Sequence, residues 1–406
     1  MKRGRRVTES PTVAIVGAGM AGLAAAHYLA INHIDFEIYE ASDKPGGRVA
    51  TKHVDGLTLD QGFQIVLEDY PELRRLTAVS ELPLNRLYPG VYLHDTGNPL
   101  LLSDPRRIPG TKRQALRTLA TLLRIPDWRS AGRYLNKTQP TIKDLGALLP
   151  QPLHDAVFGP LFRGITADPD LTGPADFARF VLKRLLNGYA SLPTGGMAQL
   201  PAIIADGLSG HIHYLHRAVS VASGQLTLED GSNVQADWII LAVEPPALGS
   251  LLDLNLPPMR SVGYVHALSR RRLFGVPAVL LAPLGSPIYT VAPMSDIAAS
   301  YVNHDPERHL ITASCDPTVS PGELRAALTA AVNCEPENLE FIELGVVKNA
   351  LPRNSRTVSE IGQHVLLAGD YLVSPSMNGA IESGRKAAER VIRTMKRPAK
   401  ELTIDG

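Results

Sequence analysis

Cysteine is almost missing from this 406-residue chain, which has only Cys315 and Cys334. Two thiols exclude the disulfide framework of a small secreted domain, are too few for a cysteine metal centre, and predict a reducing compartment. Charge of one sign is missing too. Lysine and arginine number 41 against 40 acids, a net charge of +1 that gives no global attraction for nucleic acid. No uninterrupted apolar run reaches the ~18 residues of a membrane-spanning helix, and no secretory h-region opens the chain. Internal repeats and low-complexity stretches are absent. These absences leave a large cytoplasmic protein that can bury an ample core in two domains. Its basic start, Lys2, Arg3, Arg5 and Arg6, reads as a solvated tail.

Glycine, by contrast, is placed with purpose. The β-branched run Val13 to Val16 has the length of a buried strand, and Gly17, Gly19 and Gly22 follow at G-x-G-x-x-G spacing before an Ala/Leu-rich helical stretch that includes Ala18, Met20 and Ala21. Gly17 allows a tight turn, Gly19 lets backbone amides approach a pyrophosphate, and Gly22 permits close strand–helix packing. The helix N-terminus favours the phosphate charge. A second strand, Phe36 to Tyr39, ends at Glu40, a carboxylate placed to accept hydrogen bonds from ribose hydroxyls. Strand, glycines, helix, strand and acid in this order predict a dinucleotide site.

The continuation, Asp43 to Arg48, with Gly46, Gly47 and Arg48 in series, resembles the flavin-dependent amine oxidase and carotenoid desaturase superfamily. The resemblance implies that this element wraps the FAD pyrophosphate and that Arg48 adds a cation to it. A second match stands near the other end. Val365 to Ala368 reads as a strand, Gly369-Asp370 as a turn, and Asn378 to Arg393 as a helix opening on Gly379 and Ala380. In the superfamily the matching Asp binds the ribityl chain, and the helix N-terminus, here Met377, Asn378 and Ala380, faces the flavin pyrimidine edge. A helix dipole there stabilises negative charge on reduced flavin. A third block carries Val219, whose backbone the resemblance sets on the adenine. Around it a β-meander about the Asp230-Gly231 hairpin signal returns to the main sheet at Asp237 to Val243.

The implied fold is α/β: a Rossmann-like FAD-binding domain of GR2 type, with a parallel sheet plus β-meander, and a discontinuous α+β substrate domain. Expected boundaries are 1–69, 189–253 and 351–406 for the FAD domain, and 70–188 and 254–350 for the substrate domain. The first insert reads as helical and Pro-punctuated, and the second carries strand-like runs Val262 to Leu268 and Val276 to Leu281. Thr194 to Pro201 resembles the family's Gly-Gly-Met element at the return to the FAD domain.

Departures from the amine oxidases narrow the chemistry. Those enzymes commonly hold the substrate nitrogen between two rings, and one of those positions is Ser376 here. Their flavin-side lysine has no counterpart in Val262 to Leu268, and no cysteine in the C-terminal block supplies a thioether, so FAD is expected to be non-covalent. The plant and cyanobacterial desaturase branch is closer in motif, through Ala368 to Tyr371, Ser376-Met377, Ser383-Gly384 and Val346 to Lys348. It is closer also through Asp60 to Gln64, where Gln61, Gly62 and Phe63 would line the flavin, although Asp60-Gln61 replaces that branch's Glu-Thr. The resemblance thus implies hydride transfer from an activated C–H of an apolar, isoprenoid-like substrate to flavin, with quinone or oxygen as acceptor. The alternatives are an amine or protoporphyrinogen-type oxidase, a redox-neutral flavin isomerase, or a non-enzymatic relative of the Rab GDP-dissociation inhibitors. Intact Gly17, Gly19, Gly22, Glu40 and Asp370 argue against the last.

No Ser/His/Asp or metal constellation is required for an apolar substrate, so catalytic residues stay unassigned. Tyr371, His266 and Lys348 are the candidates near a cavity. His211, His213 and His216 find no acidic or cysteine partner in the sequence and read as edge histidines, so no metal is expected. Residues 106–133 carry eight basic residues against Asp127, with Leu116, Leu119 and Leu123 at helical spacing. Such a helix is either a solvated domain helix or a peripheral membrane contact where a lipid-soluble substrate is collected.

Overall fold

The computed structural model describes residues 13–94, 99–104, 107, 136–222, 224–252, 258–353, 360–362 and 364–396. The basic segment 106–133 therefore lies outside the described residues except for Arg107. The chain divides into two compact units: Met1–Gly47, Pro201–Pro257 and Ser355–Gly406 form the first, and Arg48–Leu200 and Pro258–Asn354 the second.

The first unit is built on five parallel strands. In chain order they are β1 (Val13–Val16), β2 (Phe36–Tyr39), β3 (Ile212–His213), β4 (Trp238–Leu241) and β5 (Val365–Leu367), set side by side as β3-β2-β1-β4-β5. This is the doubly-wound order in which the chain reverses direction of travel at β1, so a crevice opens beyond the strand ends. Strands buried on both faces read as unbroken apolar runs, and Val13, Ala14, Ile15, Trp238, Ile239, Ile240 and Leu241 are all buried. Helices α1 (Met20–Ala30) and α2 (Met377–Met395) pack tightly, because a Cβ on Gly384 would run into the Ala21 carbonyl oxygen. A three-stranded antiparallel meander, Ala218–Ala222, Gln225–Leu228 and Asn233–Gln235, turns through Gly231 at φ +85°.

The second unit carries a seven-stranded sheet. Its order is Leu339–Pro352, Met259–Ser269, His309–Cys315, Ile288–Ala292, Val279–Leu281, Gly90–Leu93 and Leu100–Ser103. Val265, Ala267, Ile311 and Ala313 point to one face, where the helix Pro321–Ala331 adds Leu324 and Leu328 to the core. Alternation along Met259–Ser269 sends Tyr264 and His266 to the other face. Burying each Leu or Ile here contributes about 1.5–3 kcal/mol, enough to override local preference.

Two corrections follow. Residues 48–69 and 189–200 belong to the second unit, not to the first as the motifs suggested. Hydrogen bonding is the reason: Val66–Leu67 and Leu84–Arg86 both pair with Ala190–Pro193, and the hairpin Thr51–Val54/Leu57–Asp60 bonds to residues of the same unit. The first insert is also not simply helical. Gly90–Leu93 and Leu100–Ser103 join the large sheet, where Gly90–Leu93 pairs in parallel with Val279–Leu281, a partner invisible to local pattern.

Candidate functional site

In the first unit the glycine turn leaves β1 with its amide committed: Gly17 N donates to Tyr39 O at 2.9 Å. Gly17 takes φ +99°, and a Cβ there would sit 2.8 Å from the Ala242 carbonyl oxygen, so both conformation and space demand glycine. A Cβ on Gly22 would enter the Gly17 carbonyl outright. Gly19 differs, since its Cβ would meet nothing within 4 Å. That open position caps α1, whose first turn holds no acid and whose cap offers no side-chain acceptor. The first amides of a helix need an acceptor, and a phosphate fills that need. Ala18, Met20 and Ala21 are buried beneath the turn.

Glu40 stands at the end of β2 and is buried. Its Oε2 accepts from Ala18 N at 2.6 Å, and its Oε1 accepts from Ser42 N at 2.8 Å and Ser42 Oγ at 2.7 Å. The carboxylate is thus locked against the glycine turn, and its two oxygens have capacity for about four acceptor bonds, which leaves room for a ribose hydroxyl. Gly46 N donates to Ala18 O at 2.9 Å and a bridge joins Gly19 to Gly46, which brings Gly46 and Gly47 over the same turn. Gly46 and Gly47 take φ +122° and +57°. Val219 is 45% exposed on the meander.

The C-terminal motif folds in the same unit. Gly369 N donates to Ser383 Oγ at 2.7 Å, and Ser383 Oγ donates to Ala380 O at 2.9 Å, tying the strand end to α2. Asp370, Asn378 and Ala380 are buried, with Met377 half-buried at the first turn. Ser376 is the N-cap: its Oγ accepts from Gly379 N at 3.0 Å. The residue standing where an aromatic wall is absent is therefore fixed as a helix cap. The first turn of α2 again holds no acid. Glycine turn, Glu40, the Gly46-Gly47 loop and both helix starts together fit the pyrophosphate and ribose demands of a dinucleotide.

The other expected residues fall in the second unit. Arg48 Nη1 donates to the Ala350 carbonyl at 2.6 Å. Gln61 N donates to Ala50 O at 2.9 Å, Gly62 takes φ +79°, and Phe63 is part-exposed beside them. His266 is buried, with Nε2 3.0 Å from the Asp60 carbonyl and Nδ1 2.8 Å from Thr312 Oγ1. A carbonyl only accepts, so Nε2 carries the proton and the threonine hydroxyl donates to Nδ1. Burial pushes the imidazole down to about 4 and keeps it neutral. His266 is thus a buried ring hydrogen-bonded at both nitrogens. Tyr371, in the first unit, is fully buried in the core there, with its hydroxyl 3.4 Å from Ala368 O. Lys348 lies exposed on Leu339–Pro352.

Two clusters escaped the sequence. Asp60 lies at the centre of one, with Thr51, Met197 and Tyr301 around it. In the other, Tyr264 Oη donates to Glu343 Oε1 at 2.8 Å, and Lys52 pairs with Glu343 Oε2. Burial alone would raise the Glu343 carboxyl, but the hydrogen bonds from Lys52 and Tyr264 and the Lys52 charge carry it below its usual value. Burial and the adjoining carboxylate push the Tyr264 phenol up. Only the alternation placing Tyr264 beside His266 hinted at this face.

The edge histidines also acquire a partner. Glu37 of β2 lies 2.9 Å from His213 Nε2 and 3.6 Å from His211 Nδ1, supplying the acid that the sequence reading did not find. The parallel register of β2 with β3 aligns Tyr39 with His213 and so explains the proximity. Among the described residues no group of three or more such side chains is arranged to hold a metal ion. Arg107 is the described member of the basic segment, and it donates to the carbonyls of Leu185, Leu186 and Gly188, capping the helix Ala175–Asn187. No helix among the described residues is long and apolar enough to cross a membrane.

Comparison with known proteins bears on this geometry. The sequence pattern described as flavin containing amine oxidoreductase matches residues 20–282. A hydroxysqualene dehydroxylase of Sinorhizobium fredii is 27% identical over 296 residues, which cover 63% of this chain and 67% of that protein. A zeta-carotene-forming phytoene desaturase of Myxococcus xanthus is 45% identical over 60 residues, 15% of this chain, and the chain spans just 12% of that enzyme's length. Among solved structures, an oxidoreductase from Methanosarcina mazei superposes with a TM-score of 0.71 at 15% identity, covering 93% of this chain and 99% of that one. The last likeness supports the α/β FAD-binding fold alone.

Proposed function

This chain belongs to the flavin containing amine oxidoreductase family, and from that membership we propose that it is an FAD-dependent oxidoreductase that desaturates or dehydrogenates an apolar, isoprenoid-like substrate. The observation that carries the finer reading is Ser376, whose hydroxyl is committed to the Gly379 amide in the position where an amine-binding ring would stand. Similarity to a hydroxysqualene dehydroxylase and to a phytoene desaturase supports the same substrate class. Bound flavin would supply the two-electron acceptor for hydride that no side chain provides. The chain's own residues act by holding and orienting. Under this reading the α1 amides and Glu40 fix the adenylate half, with Gly46 and Gly47 over the pyrophosphate. Asp370, Met377, Asn378 and Ala380 approach the ribityl chain and ring, and Val219 meets the adenine through its backbone. Neutral His266 and buried Tyr371 serve structure, which leaves substrate orientation as the main source of barrier reduction.

Quinone or oxygen would complete the turnover, and residues 106–133 are the segment to test for membrane contact. The deciding experiment is anaerobic bleaching of the purified protein loaded with FAD by a panel of polyenes, amines and porphyrinogens. Bleaching by a polyene or squalene-type substrate supports the proposal. Bleaching by amines or porphyrinogens alone overturns the substrate class and leaves the flavin assignment standing. Fast reoxidation by quinone and slow reaction with oxygen would identify the acceptor.

A further inference from the structure

We infer that the first unit carries a further binding site, a cavity beside α2 and β5 that takes a small amphiphilic anion: a carboxylate or phosphate on an aliphatic body. None of the residues expected to hold a dinucleotide lines this cavity, so the two sites are independent.

The cavity holds about 540 Å³, inside the roughly 300–1,000 Å³ range of small-molecule sites. It exists because β5 is the outermost strand of the parallel sheet, and among the described residues only the single bridge between Leu366 and Glu360 continues the hydrogen bonding beyond it. Part of the lining is aliphatic. Leu366 and Leu367 of β5 are buried, and Leu372 and Val373, just past the Gly369-Asp370 turn, are part-exposed. Ser383 also lines the cavity, but its Oγ is spent between Gly369 N and Ala380 O. The polar chemistry of the site therefore comes from the charged face of α2, which contributes Arg385, Lys386, Arg390 and Arg393.

Against these four cations the described lining has two carboxylates, Glu360 and Glu389. Lys386 is engaged by Glu382 at 2.7 Å, which leaves three arginines to two acids. Arg385 Nη1 donates to Glu389 Oε1 at 2.7 Å, Arg390 donates through Nε to Glu360 Oε2 at 3.3 Å, and Arg393 comes only to 4.0 Å from Glu389 Oε2. Each of these contacts uses one nitrogen of a planar fork that can donate two parallel bonds to a carboxylate or phosphate. The helix dipole accounts for Arg393, the basic residue of the last turn, but its effect fades within that turn. It does not reach Arg385 or Lys386, roughly two to three turns earlier. Pairing at i,i+4 spacing accounts for Arg385 with Glu389, yet not for an excess of guanidinium beside an aliphatic hollow. A ligand with an anionic head and an aliphatic body answers both features at once, since its body takes apolar surface out of water and its head gives the forks an acceptor.

The test uses the full chain with FAD in excess, so that the dinucleotide site is closed to the probes. Titration calorimetry compares octyl phosphate, octanoate, octanol and inorganic phosphate, each below any micelle concentration. Octyl phosphate or octanoate should bind at least about tenfold more tightly than both octanol and inorganic phosphate, and the tighter of the two anions identifies the head group. Arg390 and Arg393 are 47% and 66% exposed, so reversing their charge leaves the core untouched. Arg390→Glu combined with Arg393→Glu should weaken the tighter probe at least about tenfold, close to 1.4 kcal/mol, with the far-UV dichroism unchanged. Should that variant fail to fold, Arg390→Gln combined with Arg393→Gln decides instead, with a loss of at least about threefold expected. Octanol binding as tightly as the anions would overturn the charged half of the site, and inorganic phosphate binding as tightly would overturn the aliphatic half. Absence of binding by both amphiphiles, or undiminished binding in the folded double variant, would overturn the site itself.

Discussion

The glycine turn of the first unit and the Asp60 hub of the second hold backbone in place by opposite means. At the turn, side chains are subtracted: Gly17 and Gly22 leave no space for a Cβ, and Gly19 leaves space unfilled. At the hub, side chains are added until one acid is contacted by Thr51, Met197, Tyr301 and His266. Subtraction clears backbone amides for a ligand's phosphates, whereas addition stiffens a turn that must keep its own shape. The first solution leaves no room for a side chain at Gly17 or Gly22. The second joins distant residues and carries an electrostatic cost that depends on pH.

The sharpest way to break the first half of that comparison is Gly22→Val. Its side chain would collide with the Gly17 carbonyl, a backbone atom that cannot swing aside. A loss of about 3 kcal/mol or more is expected, together with loss of FAD, and urea unfolding with flavin absorbance on the same samples checks it. A variant that stays yellow and equally stable would show that α1 can shift away from β1.

The second half is sharpened by pH. His266 falls from 6.5 in the unfolded chain to about 4 when folded, so the unfolded state binds the proton more readily. Its contribution is fully present above 6.5 and is lost as the pH falls toward 4, with a slope of up to about 1.4 kcal/mol per pH unit. Unfolding free energies measured across that window in wild type and His266→Phe should differ in slope. Equal slopes would mean that the imidazole is not held neutral.

A smaller effect separates capping from ligand contact at the C-terminal helix. Ser376→Ala removes the acceptor for Gly379 N and should cost about 1 kcal/mol. Thermal unfolding of the apoprotein reads this directly, and an unchanged midpoint would mean that the Oγ bond is dispensable.

Legibility in the sequence followed the range of the interactions. Val13–Val16 and Phe36–Tyr39 form strands over the expected residues, and Glu40 and Gly46 are held against the glycine turn that follows the first of them. Each of these features depends on neighbours a few residues away or on one βαβ crossover. Tyr371 and His266 were expected near a cavity and are buried, because burial is a property of the surrounding sheet and not of residue type. Arg48 was expected to serve the pyrophosphate, and its described guanidinium bond goes to Ala350, 302 residues away.

The sequence by itself therefore determined the dinucleotide turn, the parallel strands that carry it and the family to which the chain belongs, since these are written in short-range periodicity and glycine spacing. Tertiary structure alone decided the hub. Asp60 meets Met197 across 137 residues and Tyr301 across 241, and no local pattern announces which hydroxyl or amide a folded chain will bring to a buried carboxylate. The physical reason is that a buried acid must find hydrogen-bond donors, while both its burial and its choice of donor are set by packing, so neither is visible in the chain.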